Sequence, residues 1–122
     1  MTATTTETAT DLLGTAPEPT AEARRIMPDD LRRFVQRVFQ QLGVPEDRAA
    51  RAANVLLTAD LRGVTSHGVA RLNMYYGQIL SGAIDPTATL TTVRETGATG
   101  VYDAHGGLAL ALAPEAMDQC IE

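Results

Sequence analysis

Ala59-Asp60-Leu61-Arg62-Gly63-Val64-Thr65-Ser66-His67-Gly68-Val69-Ala70-Arg71-Leu72-Asn73-Met74-Tyr75-Tyr76 is the stretch on which the reading of this chain turns. It gathers an imidazole, two guanidinium groups, hydroxyls and two glycines at the boundary between two helical patterns. Gly63-Val64-Thr65 separates those patterns, and Thr65 or Ser66 can accept a hydrogen bond from an unpaired amide as the N-cap of the second helix. The spacing predicts that helix over residues 66–80. On it His67 and Arg71, four apart, would share a face that Tyr75 extends by one turn.

Upstream, Pro28 followed by Asp29 and Asp30 predicts a helix start, because proline suits the first turn and carboxylates oppose the positive end of the dipole. Leu31, Phe34, Val35, Val38, Phe39 and Leu42 then recur at helical spacing, leaving mostly arginine and glutamine on the wet side. Gly43 stops that helix. Pro45-Glu46-Asp47 repeats the start signal, and Ala49, Ala52, Ala53, Leu56, Leu57 and Ala59 form a small-residue seam reaching to residue 62. Residues 1–26, mostly Thr, Ala, Glu and Pro before Glu22, hold too few large apolar side chains to offset ordering entropy and are expected to be a disordered tail.

Downstream, Gly82 and Asp85-Pro86 break the pattern. Residues 89–94 are β-branched with period two, as in a strand; Thr96-Gly97-Ala98-Thr99-Gly100 reads as a hairpin turn, and Val101-Tyr102-Asp103 as the returning strand. Gly106-Gly107 leads into an Ala/Leu-rich helix still running at Glu122, a pattern expected of the beginning of a longer protein. The fold class is therefore α+β: an N-terminal helical layer, a β-hairpin and a truncated helix. Residues 27–86 read as a helical unit and residues 87–122 as the start of a second domain.

Bulk properties narrow the function. A chain of 122 residues with 44% hydrophobic and 20% charged side chains fits one modest globular unit. A formal charge of −5 opposes general affinity for nucleic acid, which needs a basic face. All ten basic residues are arginine, which excludes a Schiff-base lysine within these residues. The single Cys120 cannot form an internal disulfide, and the N-terminal segment lacks the features of a signal peptide, so the cytoplasm is the expected compartment and no membrane span is expected.

His67 can hydrogen-bond a carbonyl or carry a proton near neutral pH, and Arg71 offers a planar fork for a carboxylate. Together they suggest a site for a 2-oxo or 2-hydroxy acid. The same residues also fit an ordinary N-cap, a surface histidine and a solvated arginine. Asp60 and Arg62 could orient the Ser-His-Gly loop through side-chain-to-backbone bonds and a salt bridge, or simply be a solvated helix end. His105 before Gly106-Gly107 lacks any phosphate-loop or dinucleotide glycine fingerprint and reads as a structural turn. Two histidines without ligand spacing predict no metal site, and Cys120 has no activating neighbours in sequence.

The ordered pattern Ala59-Asp60-x-Arg62-Gly63-x-x-Ser66-His67-Gly68-x-x-Arg71-Leu72-x-x-Tyr75, followed by Gly82-x-Ile84-x-Pro86, resembles the N-terminal region of the malate/L-lactate dehydrogenase family. Asp103-x-x-x-Gly107 and Ala116-Met117 continue the likeness, which covers residues 31–122. The resemblance implies a non-Rossmann fold, hydride transfer between NAD or NADP and a small 2-oxo acid or cyclic imino acid, and a homodimer. It places His67 beside substrate and nicotinamide as a catalytic and cofactor-side residue, Arg71 on the substrate carboxylate, Tyr75 in the pocket wall and Ser66 in a positioning role. It also implies that the family's proton-transfer histidine, which is not His105, and most cofactor contacts lie beyond Glu122, so that this piece alone would be inactive and residues 87–122 would begin the cofactor domain. The competing expectation is a non-catalytic helical interaction module or an inactive truncation product.

Overall fold

A computed structural model describes residues 25–121; the tail expected over residues 1–26 lies, but for its last two residues, outside the described residues. The first helix, α1 (Pro28–Gln41), begins with proline at its first turn and pairs Asp29 with Arg32 and Asp30 with Arg33 one turn on. Such exposed pairs contribute little, and what fixes the helix is burial of Val35 and Phe39. Gly43, at φ +91°, closes the helix in the left-handed conformation that glycine adopts without penalty. Val44 then donates to the Phe39 carbonyl and is itself buried.

The second helix, α2 (Glu46–Leu61), returns along α1 and buries Ala49, Ala52, Ala53, Leu56 and Leu57. This is the predicted seam except for Ala59, which is only half-buried. Its methyl side chains admit α1 closely, while Leu56 and Leu57 each contribute on the order of 2 kcal/mol by leaving water. Phe34 departs from the expected core face: it is 57% exposed and lines an open apolar groove with Val38, Val69, Leu72 and Tyr76.

The single helix expected over residues 66–80 is not formed. Instead Thr65–His67 and Val69–Arg71 are two separate 3-10 turns, divided by extended Gly68 at φ −89° and ψ −154°, and the α-helix α3 (Leu72–Leu80) starts only afterwards. The reason is a competing acceptor. The Asp60 carboxylate at the end of α2 takes the Val69 amide at 2.8 Å, the role expected of a Thr65 or Ser66 cap.

After α3, residues 81–90 cross back over the helix pair, with Ile84 against the core and the Pro86 ring beside Gly43. Strands β1 (Thr91–Thr96) and β2 (Thr99–Asp103) form an antiparallel hairpin with Thr96 opposite Thr99. The expected two-residue alternation of β1 fails because the register slips between Thr92 and Arg94, and every β1 residue is exposed. The last helix, α4 (Ala109–Ile121), begins after buried Leu108 and packs Ala111 and Leu112 inward. Arg48 ties the layers together: it donates to the Ala88 carbonyl at 3.2 Å and faces Glu115 of α4 at 3.6 Å. No helix among the described residues is long and apolar enough to cross a membrane.

Candidate functional site

The 3-10 turns form a compact loop because their own amides close it. Val64 donates to Ala59, His67 to Val64, Gly68 to Thr65 and Arg71 to Gly68, at 2.8 to 3.2 Å. With these four amides bonded within the loop and the Val69 amide held by Asp60, the side chains of Ser66 and His67 stand exposed and Arg71 half-exposed.

Ser66 joins the other two. Its hydroxyl lies 2.9 Å from Nδ1 of His67, and its backbone carbonyl accepts a hydrogen bond from Nε of Arg71 at 2.6 Å. His67 and Arg71 therefore meet through Ser66, and not across one helical face as their spacing suggested. Tyr75 lies apart on α3, half-buried against the core.

The contacts also show which atoms are left over. Among the described residues, Nε2 of His67 and both Nη atoms of Arg71 have no hydrogen-bond partner. A guanidinium held by Nε presents its two Nη groups end-on, a geometry that matches both oxygens of a carboxylate. An imidazole with Nδ1 engaged keeps Nε2 for a second oxygen.

Asp60 and Arg62 divide the orienting role that the sequence allowed them jointly. Asp60 accepts the Val69 amide, whereas Arg62 is exposed and makes no ion pair among the described residues. The sequence signal for Asp60 was a carboxylate in the last turn of a helix, where it opposes the dipole.

His105 occupies the turn predicted for it, in the left-handed region at φ 50° and followed by Gly106 at φ +70°. Its amide donates to Asp103 at 2.7 Å, its Nε2 lies 2.9 Å from the Thr91 hydroxyl, and its Nδ1 faces Asp103 at 3.5 Å. Gly106 accepts the Asp85 amide at 3.0 Å, joining the hairpin base to residues 81–90. Cys120 is exposed, with its sulfur 3.9 Å from the Tyr102 hydroxyl, a contact that pushes the Tyr102 phenol above its ordinary range. No group of three or more His, Cys, Asp or Glu side chains among the described residues could hold a metal ion.

Comparison with known proteins places this loop in a family. Residues 26–122 match the family model described as malate/L-lactate dehydrogenase. Malate dehydrogenase from Pyrococcus abyssi is 41% identical over 98 residues, which are 80% of this chain and 27% of that protein. L-sulfolactate dehydrogenase from Methanocaldococcus jannaschii is 34% identical over 97 residues, 80% of this chain and 28% of that protein. The structure of malate dehydrogenase from Pyrococcus horikoshii superposes with a TM-score of 0.74 at 38% identity, covering 78% of this chain and 27% of that one. The chain thus spans about a quarter of the length of these relatives. By the match over residues 26–122 and the identity to these relatives, the chain belongs to the malate/L-lactate dehydrogenase family.

Proposed function

We propose that the chain is the N-terminal part of an NAD(P)-dependent oxidoreductase acting on a small 2-hydroxy/2-oxo acid or a cyclic imino acid, and that residues 66–75 carry its acid-binding edge. The observation that carries this reading is the bond from Arg71 Nε to the Ser66 carbonyl at 2.6 Å, which leaves a two-pronged donor open beside an imidazole. Malate and sulfolactate, the acids in the relatives' names, share a 2-hydroxy carboxylate that such a pair can hold.

In this reading Arg71 grips the carboxylate through both Nη groups. With the Ser66 hydroxyl donating into Nδ1, His67 carries its proton on Nε2 and directs it to the oxygen or nitrogen at the reacting carbon. Tyr75 forms part of the pocket wall from α3. The open donors of this loop fit a small acid and, at His67, the edge of a nicotinamide ring. They do not fit a diphosphate, because each left-handed glycine among the described residues serves a helix end or a joint and none forms a phosphate cradle. NAD or NADP, when bound, supplies or accepts the hydride. Residues 27–86 are the substrate side in this proposal, residues 87–122 begin the cofactor side, and the intact enzyme is a cytoplasmic homodimer.

In the intact protein, Arg71→Ala is expected to raise KM for the acid by roughly ten- to a hundredfold, the loss of a charge-assisted pair of hydrogen bonds. Cofactor affinity should hardly move. Steady-state kinetics with an unchanged acid KM would reject the assignment.

A further inference from the structure

Between Val64 and Ala70 the hydrophobic core holds only Val69, so apolar packing does not explain how this exposed loop keeps its shape. Asp60 does. It is half-buried at the end of α2, and its Oδ2 accepts the Val69 amide at 2.8 Å. Its carboxylate also lies directly under Gly68, so closely that a Cβ there would overlap it. Gly68 is buried and its φ of −89° is open to any residue. The glycine is therefore demanded by the Asp60 side chain and not by the backbone. A carboxylate in the last turn of α2 gains nothing from the helix dipole, so its benefit must come from the loop.

We propose that Asp60 is the positioning residue of the acid site: by clamping the Gly68–Val69 peptide it sets Ser66 where its carbonyl meets Arg71 Nε and its hydroxyl meets His67 Nδ1. This rests on the acid-binding reading above. The carboxylate touches neither substrate nor reacting atoms; it acts through the backbone.

The test is a set of variants of the intact protein, Asp60→Ala, Asp60→Asn, Gly68→Ala and the Asp60→Ala/Gly68→Ala double, with Arg71→Ala as reference. The probe is whichever of oxaloacetate, pyruvate and sulfopyruvate the unaltered protein reduces fastest, read alongside cofactor Kd and Tm. Asp60→Ala is expected to raise the acid KM about tenfold while cofactor Kd stays within about twofold. Asp60→Asn keeps an acceptor for the Val69 amide and should stay within about threefold of the unaltered protein. Gly68→Ala should raise KM as Asp60→Ala does, and the double variant should be no worse than Asp60→Ala, because the group that meets the new methyl is gone.

Additive effects in the double variant, or an unchanged KM in Asp60→Ala while Arg71→Ala raises it, would overturn the positioning role alone. An unchanged KM in Arg71→Ala would overturn the acid site and this proposal with it. Should Asp60→Ala fail to fold, the other single variants decide. A raised KM in Gly68→Ala beside a near-normal Asp60→Asn supports the clamp, and a normal KM in Gly68→Ala refutes it.

Discussion

The two histidines sit in similar surroundings and are bonded differently. Each is exposed, lies in a short link between elements and has a hydroxyl 2.9 Å from a ring nitrogen. At His105 the amide bonds Asp103 and Nε2 meets Thr91, while Nδ1 lies 3.5 Å from the Asp103 carboxylate, so the residue is tied to the hairpin base through three contacts. At His67 one nitrogen meets Ser66 and, among the described residues, the other has no partner. This unspent hydrogen-bonding capacity is what the proposed acid site asks of His67, and it is what His105, fastened to its own hairpin, has less of.

The sharpest way to break this contrast is to remove each ring in the intact protein. His67→Ala is expected to lower kcat by about 10²- to 10³-fold, the usual worth of one donor aimed at the oxygen or nitrogen where charge develops. His105→Ala should change it by less than about threefold, since no reacting group depends on that ring. Comparable losses in steady-state assays would erase the distinction.

Stability should respond the other way round. His105→Val places a β-branched residue at φ 50° and drops the ring's bond to Thr91, which together cost roughly 2 kcal/mol. His67→Val, exposed and unstrained, should stay within about 0.5 kcal/mol. Calorimetry that found the two equally destabilised would show His67 to be as structural as its counterpart.

A smaller effect is expected beside the His105 joint. Asp85 accepts bonds from both the amide and the hydroxyl of Thr87 at 2.8 Å, which hold its carboxyl below its ordinary range. A depressed carboxyl stabilises the fold fully above its unfolded value, about 3.9, and loses that contribution as pH falls through the lower folded value. The Thr87 amide resonance should therefore titrate with a midpoint under ~3.9 and lose that step in Asp85→Asn. A midpoint at or above the ordinary value would sever the carboxyl from the turn.

What the sequence disclosed follows the range of the forces involved. The α1–α2 pair was legible because starting prolines, first-turn carboxylates and the alanine seam are local signals that agree with one another. Ser66, His67 and Arg71 were legible as a group because they lie within six residues. The break at Gly68 was not, since it depends on a side chain eight residues earlier outcompeting a local cap. The β1 register slip and the left-handed His105 were equally hidden. Both depend on partners across the hairpin, Thr91 being fourteen residues from the ring it meets.

Arg71 is oriented by a carbonyl of the main chain, and a main-chain oxygen is common to every amino acid. Evolution can therefore exchange the side chain at position 66 without erasing the acceptor that aims the guanidinium. The same exchange would remove the hydroxyl beside His67. Natural variation at this one position can thus change the surroundings of the His67 ring while leaving the orientation of Arg71 in place, which makes the two halves of the proposed site separately heritable.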